Sequence, residues 1–486
     1  MRPAKSHKKA LKIPAFLVGG IAGLYPLIFL YSKNLTLIST WEHLLVFSTV
    51  ALVIPGCVAW VLYKIFSKKN FVGVLLLVFN LFVFLALLTT ALHAGAQAKF
   101  IGLSLLVALV LGYLLRRFRV KIIMLELILS VIALVALVPK LYEFASQTHN
   151  WMDQPDAIEE ATFTKTPNIY VIQPDGYVNP SQLKRGYYEM DTSEMNAFLT
   201  THNFEIYENF RSNYDATLSS NSSLFAMKHH YYQGDAANFE LYNAREHIVS
   251  SNPVLSVLKN NNYTTHFITE SPYLLLTRPA LGYDYCNYSY TEIPYLSKGF
   301  KLKKEVKPAL YEFMEQPGKT PKFFFVQILN PKHIDGGTKG ENLAEKKRKI
   351  YQKNLNETNL LLQDIITHIQ ENDKNALVVL VADHGGYVGF ESLFQGNVYT
   401  EDPDKTISIF SSLLAISWPE GTTVMYRDSL KTNVNLFRVL FAHLAEKPEF
   451  LTNLQEDASF LKISSGAPEG VYKAIDSKGN VVFSKL

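Results

Sequence analysis

At 486 residues the chain is too long for one ordinary domain, and its apolar residues are unevenly spread. Residues 1–140 are dense in Leu, Val, Phe, Ala and Ile, while the remainder reads as a mixed α/β protein. A net charge of +4 says little until it is mapped, and two cysteines, Cys57 in an apolar run and Cys286 beyond it, exclude an internal disulfide framework.

Five apolar stretches come first, at about 13–31, 43–63, 71–93, 99–115 and 122–139. A helix needs roughly 20 residues to cross a bilayer. None of the five carries a charge near its centre; Glu126 lies close to the start of the fifth. Their succession with only short polar breaks predicts a five-helix transmembrane domain over 1–140 rather than buried helices of a soluble fold. A cleaved signal peptide is not expected, because no small-residue cleavage site follows the first run. Basic residues set the orientation. Arg2, Lys5, Lys8, Lys9 and Lys12 precede the first stretch, Lys64, Lys68 and Lys69 follow the second, and Arg116, Arg117, Arg119 and Lys121 follow the fourth. The other two short loops hold only Lys33 and Lys99. The positive-inside rule then makes the N-terminus cytoplasmic and delivers everything after residue 140 to the outside. Trp41, Tyr142 and Trp151 fall where aromatic side chains favour the interface.

Residues 141–166 form a polar connector, and a βα alternation begins at 167. Strands are expected at 168–173, 264–269, 322–329, 376–382 and 408–417, with helices at 192–202, 220–230, 253–261, 342–371 and 429–445. Strands buried on both faces and joined by helical crossovers predict a doubly wound, mostly parallel sheet over 167–486. Such sheets hold ligands at the carboxyl ends of their strands. The first strand ends in Pro174-Asp175-Gly176 and the fourth in Asp383-His384-Gly385-Gly386. Two carboxylates and an imidazole from two strand ends form a candidate divalent-metal site, against the blander reading of Asp-Gly as a turn. The segment SNYDATLSSNSSLFAM (212–227) is a hydroxyl-rich loop running into a helix, where N–H groups and the dipole favour a phosphate. Ser and Thr are also ordinary N-caps, and composition leaves Thr217, Ser219, Ser220, Ser222 and Ser223 open as nucleophile.

In order and spacing, VIQPDGY (171–177), SNYDAT (212–217) and VADHGG (381–386) resemble the sulfatase-like hydrolase/transferase group of the alkaline phosphatase superfamily. That group includes lipoteichoic acid synthases and lipid A phosphoethanolamine transferases. The stretches 407–421 and 432–444 fit the same pattern, so the resemblance spans nearly all of 167–460. It implies an alkaline-phosphatase-like catalytic domain with Asp175, Asp383 and His384 as metal ligands. Thr217 would be nucleophile and fourth ligand. One divalent ion is implied, Mn²⁺ or Zn²⁺, with Mg²⁺ as a third candidate. The implied reaction moves phosphoethanolamine or phosphoglycerol from a membrane phospholipid donor to an envelope lipid or glycan acceptor, on the outer side of a bacterial cytoplasmic membrane. Two departures stand out. NPKHID (330–335) replaces the group's Pro-His-Pro-Pro-Phe-like segment, putting Lys332 at the phosphate-contacting place and His333 one step later. Pro174 stands where an aliphatic residue is commoner. A formylglycine sulfatase is not expected: Ser251-Asn252-Pro253 lacks the following Arg, and neither cysteine lies in such a motif. A phosphodiesterase or sulfuric-ester hydrolase, in which water replaces the acceptor, and a non-catalytic membrane scaffold with the same fold are the alternatives. Nucleic acid is not an expected partner; KLKKEVK (301–307) reads as a solvated helix face or a surface near lipid head groups.

The orientation has a direct check. A membrane-impermeant thiol probe should label cysteines placed near Lys99 or Gln154, in cells whose outer barrier is opened, and should spare one near Lys68. The reverse labelling pattern would sink the extracytoplasmic assignment.

Overall fold

The computed structural model describes residues 13–93, 95–234, 241–297, 299–334, 342–422 and 424–486. The basic residues Arg2, Lys5, Lys8, Lys9 and Lys12, and Asp335 of NPKHID, lie outside the described residues. Two compact units are present. One runs to Gln147 and includes Leu276–Arg278 and Pro294–Lys298, and the other holds the remainder from Thr148.

The first unit is built from apolar helices: α1 (Ala15–Asn34), α2 (Trp41–Phe66), α3 (Val72–Leu92), α4 (Ala98–Leu114) and α5 (Arg119–Ser146). Four helical stretches are long and apolar enough to cross a membrane, namely α1, α2, α3 and the Arg116–Met152 stretch containing α5; α4, with 17 residues, is shorter. In hydrocarbon, helices associate through close packing and interhelical hydrogen bonds. Both are used here. A Cβ on Gly23 of α1 would sit 1.7 Å from the Ala51 carbonyl oxygen of α2, so only glycine permits this approach. Asn80 of α3 donates its amide to Val18 O of α1 and to Glu126 Oε2 of α5, each at 2.9 Å. Glu126, noted in the sequence, is thus buried in a three-helix polar contact.

The second unit carries a seven-stranded sheet of order β2-β7-β6-β1-β5-β3-β4. Its strands are β1 (Ile169–Pro174), β2 (Phe204–Ile206), β3 (Thr264–Thr269), β4 (Tyr285–Cys286), β5 (Lys322–Ile328), β6 (Leu377–Val381) and β7 (Leu414–Ser417). From β6 through β4 every pairing is parallel; β7 and β2 join antiparallel at one edge. The central strand β1 is buried along its whole length, as its unbroken apolar run requires. In register, Ile172 lies between Val326 of β5 and Leu380 of β6, so the ends of β1 and β6 reach the same level. That register brings Asp175 and Asp383 together. The long helix Leu343–Asn372 connects β5 to β6 and buries Leu355, Leu362, Ile365, Ile366 and Ile369, an apolar stripe at helical spacing.

The expected strand over 408–417 is corrected. Its first part belongs to a helix, Pro403–Phe410, and only Leu414–Ser417 is strand. Asp402 caps that helix by accepting from the Asp404 and Lys405 N–H groups, and Pro403 at its first turn pre-sets the helical φ. These start signals outweigh the apolar run that follows. A further antiparallel sheet, β8 (Ser459–Ile463), β9 (Gly470–Ile475) and β10 (Val481–Lys485), was not foreseen.

A buried aromatic–histidine cluster braces the hydroxyl-rich helix. Tyr214 stacks on His230 with ring centroids 3.9 Å apart, and His230 Nε2–H donates to Ser219 O at 3.0 Å while Nδ1 accepts from Tyr232 N–H at 2.9 Å. His229 Nε2–H donates to Glu456 O at 2.8 Å. Both nitrogens of His230 are therefore satisfied only in the neutral ring. Burial pushes His229 down to about 4, and His230 and His247 down to about 3. Below the ordinary histidine value the unfolded chain binds protons that the folded chain refuses, so stability falls as pH falls. The loss should begin near pH 6.5 and continue to about 4, worth roughly 3 kcal/mol for His229 alone at about 1.4 kcal/mol per unit. Melting temperatures of the full chain in detergent should drop across that window; a flat profile between pH 6.5 and 4 would contradict the neutral-ring assignment.

Candidate metal and phosphate centre

Asp175 directly follows β1. Its N–H donates to Ile328 O at 2.8 Å and its carbonyl accepts from Lys332 N–H at 2.8 Å, which pins it to the end of β5 and the segment beyond. Gly176 then turns the chain with φ +67, and a Cβ there would meet His333 N at 3.0 Å. Asp383 and His384 follow β6 and are fully buried. Asp383 Oδ1 accepts from Gly176 N–H at 3.1 Å and from His384 N–H at 3.0 Å, leaving Oδ2 without a partner. Asp175 Oδ1 is also buried and without a partner. Both orphaned oxygens face one nitrogen: His384 Nε2 lies 3.4 Å from Asp175 Oδ1 and 3.5 Å from Asp383 Oδ2. His384 Nδ1–H donates to Gly385 O at 2.9 Å, which fixes the tautomer and turns the Nε2 lone pair inward.

Thr217 opens the helix Thr217–Ala226, and its Oγ1 lies 3.4 Å from His384 Nε2. Its hydroxyl neighbours are engaged elsewhere. Ser219 Oγ donates to Ala216 O, Ser220 Oγ to Asp383 O, Ser222 Oγ to Leu218 O and Ser223 Oγ to Lys228 O. Among the five hydroxyls left open by composition, Thr217 is thus the one turned to the carboxylate–imidazole cluster. His333 and His384 have ring centroids 5.8 Å apart. Lys332 has φ +68 and lines, with His333, Lys347 and Tyr351, a cavity of about 60 Å³.

The electrostatics of the cluster are those of a cation site. Burial first, and then the Asp383 charge, hold the Asp175 carboxyl above the usual carboxylate range. Burial opposes protonation of His384, but Asp383 and Asp175 together outweigh it and raise its value. Burial pushes His333 down to about 4. Two unpartnered carboxylate oxygens and an inward imidazole nitrogen, all ligand atoms within 4.8 Å of one another, fit a divalent ion with mixed N and O ligands.

Several supporting residues escaped the sequence reading. Gln173 and Asn221 exchange both amide hydrogen bonds, each 2.8 Å, tying β1 two residues before Asp175 to the helix four residues after Thr217. Asn433 donates to Ala382 O and Asp383 O, each at 3.1 Å, and clamps the end of β6. A glutamine inside the otherwise apolar NIYVIQ run was the available signal; Asn433 had none.

The chain matches no family model and no curated relative by sequence. Among solved structures it is similar to the zinc complex of the C-terminal periplasmic domain of EptC from Escherichia coli, at 15% identity over 65% of this chain and 96% of that one, with TM-score 0.43. It is also similar to lipooligosaccharide phosphoethanolamine transferase A from Neisseria meningitidis, at 8% identity over 88% and 95% of the two chains, TM-score 0.40. A third similarity is to the lipoteichoic acid synthase LtaP from Listeria monocytogenes, at 10% identity over 67% and 90%, TM-score 0.41.

Breaking the Gln173–Asn221 pair should be costly, because a lone buried amide loses its partner without regaining water. Asn221→Leu should destabilise the protein by about 1–3 kcal/mol in denaturant unfolding. An unchanged midpoint would show that the pair does not tie the helix to β1.

Proposed function

We propose that the soluble unit is a metal-dependent phosphotransferase with Thr217 as its nucleophile. It takes a phosphoryl-alcohol head group, phosphoethanolamine or phosphoglycerol, from a membrane phospholipid and passes it to an envelope lipid or glycan. The observation that carries this reading is the placement of Thr217 Oγ1, at a helix N-terminus and 3.4 Å from His384 Nε2, beside two orphaned carboxylate oxygens. Asp175, Asp383, His384 and Thr217 would hold one divalent ion, Mn²⁺, Zn²⁺ or Mg²⁺. When bound, such an ion lowers the pKa of a hydroxyl and offsets charge developing on phosphate oxygens.

The chain's own groups do the rest. The N–H groups of the first helical turn and the helix dipole orient a phosphodiester toward Oγ1. His333 lies beside His384 and the Lys332 charge acts on Asp175, so both would contact its remaining oxygens. Thr217 Oγ1 forms a bond to phosphorus as the bond to the diacylglycerol oxygen breaks; the proton lost at Oγ1 is balanced by one gained by the leaving alcohol. An acceptor hydroxyl then attacks the phosphothreonine, and Oγ1 regains its proton. A lipid donor agrees with the apolar helices of the first unit and with the distribution of Lys and Arg along their loops. These features support a catalytic unit on the outer side of a cytoplasmic membrane, with the boundaries 1–140, 141–166 and 167–486 as its working division.

Thr217→Ala should lower transfer from a labelled phospholipid by about a thousandfold or more while leaving the melting temperature unchanged. Chelation should lower the melting temperature of the wild type, with Mn²⁺ or Zn²⁺ restoring it. The linked stabilisation is about 4 kcal/mol at a thousandfold excess of ion over its dissociation constant. Near-normal transfer by Thr217→Ala would move the nucleophile to another residue. An unchanged melt on chelation, with no metal on elemental analysis, would favour a non-catalytic scaffold.

A further inference from the structure

Away from the carboxylate cluster, a second cavity of about 260 Å³ is walled by cations and by an unsatisfied amide. Four chain segments meet there: the short helix Pro180–Leu183 with Arg185, the stretch around Arg211, the end of helix Pro403–Phe410, and the turn between β9 and β10. Arg185, Arg211 and Lys478 line it, and no carboxylate does.

Arg211 is fixed rather than free. Its Nη2 donates to Asp457 O and to Asp476 O, the latter at 2.9 Å, while its Nε is buried without a partner. The side chains of Asp457 and Asp476, whose carbonyls hold Arg211, are occupied by their own donors, and the Asp404 carboxylate lies beside Gly186 on the Gln182 side. Asp457 Oδ1 accepts from Thr432 Oγ1 and Asn435 Nδ2, and the Asp476 carboxylate accepts from Lys478 N–H, Asn480 N–H and Asn480 Nδ2. Gln182 is 1% exposed; its Oε1 accepts from Arg185 Nε at 2.8 Å, and its Nε2 has no partner. Buried N–H groups without acceptors are costly, and these two belong to side chains lining one cationic cavity.

We propose that this cavity is a binding site for a phosphate group, with the guanidinium of Arg211 and the amide of Gln182 as its buried donors and Arg185 and Lys478 as its exposed charges. With both Nη2 protons of Arg211 on carbonyls, its Nε offers one-point contact; the planar two-point face is that of the Arg185 Nη groups, and the Lys478 ammonium adds charge without direction. The phosphate arrives either as the free ion or as an ester carried by a larger molecule; the chemistry recognised is the same. The site uses none of the residues assigned to transfer, so it stands or falls separately from that assignment.

Calorimetric titration of the full chain in detergent tests this, with a chelator present so that the carboxylate cluster cannot hold phosphate through a metal. Inorganic phosphate should bind saturably, and Arg185→Glu and Lys478→Glu should each weaken it at least tenfold. Lys478 is exposed and makes no side-chain bond to a buried group, so its reversal should not alter the melting temperature; Arg185→Glu also removes the donor to Gln182 Oε1, so its affinity is measured at a temperature where the variant remains folded. Lys303→Glu, in the basic patch elsewhere, should leave the affinity unchanged. A parallel titration with glycerol phosphate separates the sources: equal affinity assigns an ester, and binding of inorganic phosphate alone assigns the free ion. Absence of saturable heat with both ligands, or titrations that superimpose across wild type and the two reversals, would overturn the proposal.

Discussion

Two carboxylate oxygens, Asp175 Oδ1 and Asp383 Oδ2, are buried without partners around one imidazole nitrogen. Desolvation and mutual repulsion make this arrangement unfavourable unless a cation or proton joins it. The surrounding scaffold can be read as what keeps the two carboxylates from separating. Parallel pairing of β1 with β6 sets the level of the two strand ends. Gly176 N–H bridges across to Asp383 Oδ1, and Asn433 holds the carbonyls of Ala382 and Asp383. None of these contacts neutralises the charge; they fix where it is.

The same scaffold selects one hydroxyl. Four serines of the helix Thr217–Ala226 spend their protons on backbone carbonyls, one of them on Asp383 O itself. Ser220 therefore links the helix to the end of β6, while Gln173 and Asn221 link it to β1. The helix is tied to both strands that bear carboxylates, and its first residue is left facing the space between them.

Much of this was legible in the sequence, for identifiable reasons. The buried strands β1, β3, β5 and β6 appear as short runs bounded by turn residues, Asp-Gly after β1 and Asp-His-Gly-Gly after β6, and both the run and the turn chemistry are local. Local cues also explain the misreading of 408–417, where an apolar run concealed a helix announced upstream by Asp402 and Pro403. The choice among hydroxyls was not legible from composition, because it depends on which carbonyl each serine meets. Three of those carbonyls, Ala216, Leu218 and Lys228, are near in sequence, but Asp383 is more than 160 residues away. The second sheet was missed because lysines interrupt its apolar runs, Lys462 in β8 and Lys473 in β9, and β10 buries no residue. The cationic cavity was invisible for a stronger reason: Arg185, Arg211 and Lys478 are scattered through the chain and share no pattern.

Charge balance bears on why a lysine stands in NPKHID. Ionised Asp175 and Asp383 carry two negative charges, which a divalent ion would cancel and no more. An anionic phosphodiester then gains little net attraction from the centre itself, and must be drawn by neighbouring groups. His333 is held neutral by burial, so it can orient an oxygen but supplies no charge. Lys332 does supply one, and it lines the small cavity together with the buried Lys347. Its backbone is held by a hydrogen bond to the carbonyl of Asp175 in a left-handed conformation that a non-glycine residue adopts only under constraint. The backbone of Lys332 is therefore fixed beside the centre, and the adjacent His333 is a neutral hydrogen-bonding group. In the proposed reaction the segment would therefore act on how the anion is attracted.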